Sequence, residues 1–327
     1  MTSQKGAMWS HPALPLISPN KVFKIQKGSK MSFKNENNIA RVFPRKTTFS
    51  PDDSLSFFSH PYETKQNIED LNIKEVHVSV TWTYDMEKAE KLAQSWSRVA
   101  PVKLGGPALG EKGGEFTPGM YLKKGNVITS RGCPNKCWFC SVHKREGGIR
   151  ELKINEGYNV VDDNLLACSD EHIITVFRML KKQKTGAVFG GGLEAKILKE
   201  WHVALLWDLI PECLYFAYDT EDDLDSLIEA GKKLRYANFT RRKLKCYVLI
   251  GYKNDTLEKA KKRLLQTWEA GFSPMSMLWR NKKGDKTKEW SVFQREWSSG
   301  IISSRLIKNS ILAQYTRGSA VQFRGNS

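Results

Sequence analysis

The chain has no run of about 18 consecutive apolar residues, the length a helix needs to cross a bilayer, so no membrane span is expected in its 327 residues. Met1 to Pro15 holds no apolar signal core, and the expectation is a cytoplasmic protein rather than an exported one. Acid is scarce: 35 Asp and Glu stand against 52 Lys and Arg, a net charge of +17. So basic a balance favours polyanionic partners through phosphate contacts and counterion release. The charge is dispersed, as in Lys181-Lys182, Arg241-Arg242-Lys243, Lys261-Lys262-Arg263 and Lys282-Lys283. Nucleic acid is therefore one candidate partner, and a generally basic surface is the plainer alternative. Cysteine is sparse too. Cys168, Cys213 and Cys246 are isolated in apolar or amphipathic segments, where buried free thiols are expected, in keeping with a reducing compartment.

The other three cysteines fall together, in Cys133-Pro134-Asn135-Lys136-Cys137-Trp138-Phe139-Cys140, with C-x3-C-x2-C spacing and no fourth cysteine nearby. Closed zinc sites take four protein ligands, commonly from paired C-x2-C knuckles, and ordinary four-iron ferredoxin clusters take four thiolates. A zinc site completed by His143 is an alternative, but no second knuckle accompanies it. The apolar β-type run Asn126-Val127-Ile128-Thr129-Ser130 leads directly into Arg131-Gly132-Cys133. The end of a strand is where α/β barrels build their sites.

This spacing, with Phe139 in the aromatic slot, resembles the C-x3-C-x-aromatic-C signature of the radical S-adenosylmethionine (SAM) superfamily. The resemblance spans residues 125 to 280 or so. It implies that Cys133, Cys137 and Cys140 bind three irons of a 4Fe-4S cluster, that SAM chelates the fourth, and that Phe139 packs beside the adenine. The radical chemistry then belongs to the cofactor, and the protein supplies ligation, orientation and exclusion of water.

Along the chain, residues 1–40 are polar, without sustained periodicity, and read as a flexible arm. Glu75 to Val80 alternates like a strand, and Asp85 to Ser97 has helical spacing, with Met86, Ala89, Leu92, Ala93 and Trp96 on one face and Asp85 as N-cap. Val102 to Gly106 is a second short strand. This βαβ stretch within 41–115 resembles a truncated, degenerate form of the cobalamin-binding domain found in one radical SAM subfamily, with Ser79, Thr81, Gly105 and Gly106 in loosely matching places. The lower-ligand signature D-x-H-x-x-G is missing, so cobalamin is not expected, and His77 reads as structural. From residue 116 to 280, strands and helices alternate as expected for an α/β barrel. Strands are expected near 126, 158–161, 186–189, 213–218, 244–250 and 274–278, and helices over 169–182, 193–209, 222–230 and 256–270. The fold class is therefore α/β, a partial (β/α)6 barrel with a short βαβ extension before it and a C-terminal extension over 281–327.

Polar residues at the expected strand ends complete the candidate set. Asp162-Asp163-Asn164 follows the second barrel strand. By resemblance Asp162 and Asn164 lie near the SAM amino group; a turn or cap is the simpler reading. Gly190-Gly191-Gly192 permits close approach of backbone to a ligand or makes a plain turn. Glu194 is a candidate polar cofactor contact, and the resemblance implies that Asp219 faces the ribose, with a cap of the next helix as the alternative. Asp255 is a further candidate in a Gly-x-x-x-x-Thr turn, or a cap. Arg131 and Arg145 are candidate carboxylate partners. Trp279, Trp290, Phe293 and Trp297 are read as packing residues rather than base-stacking ones. Together these features imply a radical SAM enzyme acting on an unidentified substrate, with a nucleic acid or nucleotide preferred on charge. A reductant such as flavodoxin or ferredoxin would supply the electron. A basic nucleic-acid-binding protein with a structural metal site is the alternative.

Overall fold

A computed structural model of the chain describes residues 38–252, 254–298, 300 and 303–310. Nearly all of the arm expected over 1–40, and the polar tail from Gln314, lie outside these residues. The chain divides into two compact units. One runs to Leu214 and includes Arg280–Asp285; the other holds Tyr215–Trp279 and resumes at Lys286. The architecture is mixed α/β with parallel sheets.

The first unit opens with β1 (Ile39–Val42) and β2 (Ser56–Phe57), followed by β3 (Glu75–Ser79), α1 (Met86–Trp96) and β4 (Val102–Gly105). All pairings are parallel, in the order β2-β1-β3-β4. The helical face read from sequence is the buried one: Ala89, Leu92, Ala93 and Trp96 are inside, with Met86 at the edge. Trp96 packs on Phe57 at 4.6 Å between ring centres and donates its indole N–H to the Ser59 carbonyl at 3.0 Å. Asp85 stands at the N-cap position of α1 as expected, but its side chain does not cap the helix; its carboxylate accepts from Nη2 and Nε of Arg45, at 2.9 and 3.1 Å. The expected βαβ of β3, α1 and β4 is present. β1 begins at Ile39, inside the stretch expected to be an arm.

The same unit continues through β5 (Asn126–Val127), β6 (Ser130–Arg131), α2 (Val142–Arg145), β7 (Arg150–Glu151), β8 (Asn159–Val160), α3 (Asp170–Lys181), β9 (Val188–Phe189) and α4 (Glu200–Leu209), and reaches the start of β10 (Cys213–Tyr218). Strands β5, β8, β9 and β10 are consecutive neighbours and parallel, whereas β6 and β7 form an antiparallel pair around the cysteine loop. On α3 the inward side chains are His172, Ile173, Val176, Phe177 and Leu180, as the spacing predicts, and Ser169 caps it by accepting the His172 N–H. The helix expected over 193–209 starts only at Glu200. A short 3-10 turn covers Ala195–Ile197, and Leu198 and Lys199 are extended.

The second unit takes the rest of β10, then α5 (Leu224–Tyr236), β11 (Leu244–Ile250), α6 (Leu257–Glu269), β12 (Ser273–Leu278) and α7 (Lys288–Ser298). β11 and β12 pair in parallel over their whole length. α7 lies on β12, with Phe293 and Trp297 buried, which supports the packing reading of these aromatics. Cys168 and Cys246 are buried as expected, whereas Cys213 is half-buried.

Candidate functional site

The cysteine loop leaves β6 through Gly132, whose φ of +90° favours glycine. A Cβ there would sit 2.1 Å from the Gly148 carbonyl oxygen, so no other residue fits. The Cys133 N–H then bonds the Gly147 carbonyl at 3.1 Å, and the Cys140 N–H closes a turn onto the Cys137 carbonyl at 3.1 Å. Backbone N–H groups also reach sulfur: Asn135 donates to Cys133, and Val142 to Cys140. Burial pushes the Cys133 thiol up and the Cys140 thiol up to about 12, and the charges of Cys133 and Cys137 add to the effect on Cys140. Among the described residues, no three His, Cys, Asp or Glu side chains converge as a preformed metal-binding group. Phe139 is buried, while Trp138 beside it is 53% exposed and meets its ring edge-on.

Asp162, Asp163 and Asn164 all face the segment that leads into this loop. Asp162 is buried and accepts three bonds there: from the Thr129 N–H at 2.6 Å, the Thr129 hydroxyl at 2.6 Å and the Ser130 hydroxyl at 2.8 Å. Burial still raises its pKa to about 6, against the pull of these donors. Asp163 accepts the Gly132 N–H at 2.8 Å. Asn164 directs its amide N–H2 to Cys133 Sγ at 3.5 Å and to Glu194 at 2.6 Å, and its buried Oδ1 has no hydrogen-bond partner. Cys133, Asn164 and Glu194 are therefore brought together.

The glycines have a packing reason. A Cβ on Gly190 would lie 2.6 Å from the Asn159 side chain, and one on Gly191 would lie 2.2 Å from the Asp162 carbonyl oxygen. Their N–H groups are already used, by Asn159 at 3.1 Å and by the Val160 carbonyl at 2.9 Å. This accounts for both glycines without a ligand; their turn delivers Glu194 to Asn164.

Asp219 belongs to the second unit. Burial raises its carboxyl to about 7, the charge of Asp223 adds to this, and a bond from the Leu249 backbone opposes it. Its backbone N–H and that of Thr220 go to Asp223, which caps the turn. In the same unit Asp255 grips Arg263 at 2.7 and 3.1 Å and accepts the Gly251 N–H at 2.8 Å, so it is a structural lock rather than a cap alone.

Spacing gave no signal for the charged layer under the loop. Buried Glu146 accepts from Arg145 at 2.9 Å, from Arg150 at 3.3 Å and from the Gly113 N–H at 3.1 Å. Arg150 also holds the Gly113 carbonyl at 2.6 Å, and Arg131 holds that of Gly114 at 3.1 Å. Arg131 and Arg145 are thus tied to this layer. Buried Arg145 Nη1 and His143 Nδ1 have no hydrogen-bond partner. The two contacts to Gly113 join residues more than 30 positions apart, and only the polar identity of the residues hints at them.

In the four-stranded sheet, His77 is buried and bonded to the Tyr121 hydroxyl at 2.8 Å and to Glu75 at 3.1 Å, a structural role as expected. Burial lowers its pKa and keeps the ring neutral. Gly106, with φ +120°, closes on Val80, where a Cβ would meet the carbonyl oxygen at 2.6 Å, and its N–H is taken by Glu111 at 3.2 Å. No described helix is long and apolar enough to cross a membrane.

No protein-family model matches the chain, and no curated protein matches it significantly.

Proposed function

We propose that the chain is a radical SAM enzyme with a partial (β/α)6 barrel, in which Cys133, Cys137 and Cys140 hold a 4Fe-4S cluster. The observation that carries this is one loop with three thiols, entered through a tightly packed glycine from the end of β6, with an Asn164–Glu194 pair against its first sulfur. The donor set fits the group. Three thiolates suit iron–sulfur ligation and leave a fourth corner for a small molecule. The unpartnered Asn164 Oδ1 and the Glu194 carboxylate are acceptors placed for an ammonium group. When bound, the cluster and SAM supply reductive C–S cleavage and a 5′-deoxyadenosyl radical for hydrogen abstraction from the substrate.

The chain's own residues do the rest. Buried Phe139 gives the loop an apolar wall, and the Asn135 and Val142 N–H groups stabilise negative charge on sulfur. Glu194 and Asn164 orient the amino end of the sulfonium ligand. Asp219 is not assigned to this site. A nucleic acid or nucleotide substrate is proposed on the net charge of +17, and a flavodoxin or ferredoxin as electron donor.

Anaerobic reconstitution with iron and sulfide tests the reading. The protein should turn brown, bind about four irons and release 5′-deoxyadenosine from SAM with dithionite. Zinc in the loop with no chromophore would favour a basic nucleic-acid-binding protein with a structural metal instead.

A further inference from the structure

We infer that Asp162-Asp163-Asn164 is a positioning template for Cys133, each side chain holding a successive part of the segment Thr129–Cys133, with the Asp162 carboxylate committed to the chain rather than to a ligand. The register is ordered. Asp162 binds Thr129 and Ser130, Asp163 binds Gly132, and Asn164 reaches the sulfur of Cys133. One tripeptide in the loop that follows β8 thus fixes both the end of β6 and the first thiol of the loop.

The bonding leaves little room for another role at Asp162. One of its oxygens takes the Thr129 N–H, and the other takes two hydroxyls. A ligand ammonium would have to displace a bond already made at 2.6 to 2.8 Å in a site 1% exposed. A second layer braces the first. His172 Nε2 lies 3.2 Å from the Thr129 hydroxyl, which already donates to Asp162, so the ring N–H is the donor. Asn164 differs from its two neighbours because one of its atoms is left over. It is the point at which the template meets the site.

That Cys133 is an iron ligand rests on the proposed function; that the template sets its pose does not. The test uses the full apo chain. Iodoacetamide alkylation is followed at each cysteine by peptide mass spectrometry, with iron uptake measured alongside. Asp162→Leu removes every acceptor and should raise the rate at Cys133 about tenfold relative to Cys137, the scale of one lost buried partner. Thr129→Val should give a smaller rise and Thr129→Ser none. If Asp162→Leu does not fold, Asp162→Asn carries the test, because it keeps the volume and one acceptor; it should still shift the Cys133 to Cys137 ratio at an unchanged melting temperature. A folded Asp162 variant with the wild-type ratio overturns the template. Wild-type protein that takes up no iron overturns the proposed function and leaves the ratio test standing.

Discussion

Two glycine turns in the first unit, at the ends of β4 and β6, are finished in opposite ways. At the end of β4, the Gly106 N–H is taken by Glu111 and the space beside it is filled by Val80. At the end of β6, Gly132 is just as tightly packed, yet Asn164, which reaches Cys133, and His143 and Arg145, just past Cys140 in sequence, keep buried polar atoms (Oδ1, Nδ1 and Nη1) without hydrogen-bond partners. Buried polar atoms are nearly always paired, so each exception needs a reason. The β4 turn is satisfied by its own chain, whereas the residues about the cysteine turn keep unused polar atoms that the proposed function assigns to a ligand. Under the proposed function the second turn is the ligand site and the first is scaffold, and the variants below separate the two.

The largest effect should come from the thiols. Replacing Cys133, Cys137 and Cys140 together with alanine should abolish iron uptake and nucleoside release while circular dichroism stays native. Retained iron would erase the contrast. Gly106→Ala should do the reverse. Forcing a side chain into φ +120° against the Val80 oxygen should cost about 1–3 kcal/mol in urea unfolding and leave iron content alone. Glu194→Gln should weaken SAM binding about tenfold, as expected for a charge-assisted contact, with no change in melting temperature; unchanged affinity would remove it from the site.

The last effect is a pH slope. Asp219 has a folded pKa of about 7 against an ordinary 3.8. The folded state therefore holds the extra proton between these values, and stability falls as pH rises from about 4 to 7. Asp219→Asn should flatten that slope. Asp162, raised less because three donors face it, should contribute a shallower fall that ends near pH 6.

What was readable in advance follows from periodicity. The inward faces of α1 and α3, the Ser169 cap and the long strand β11 repeat at helix or strand spacing and are found where expected. β2, β6 and β7 have two residues each, too few for a period, and only their pairing reveals them. The late start of α4 follows from local bonding. Glu194 is engaged by Asn164, and the Lys199 N–H is held by His202 Nδ1 at 3.0 Å, which fixes the helix entry. The cysteine spacing was plain, but the roles of its neighbours were not. Whether Asp162 serves a ligand or Thr129 depends on burial and on a contact 33 residues away in sequence.

Trp138 makes the cysteine loop observable from outside. Its indole is 53% exposed and sits between two of the three thiols in sequence. A chromophore seated in that loop would drain its emission by energy transfer. The fluorescence difference between wild type and Trp138→Phe would then read occupancy directly, without any turnover.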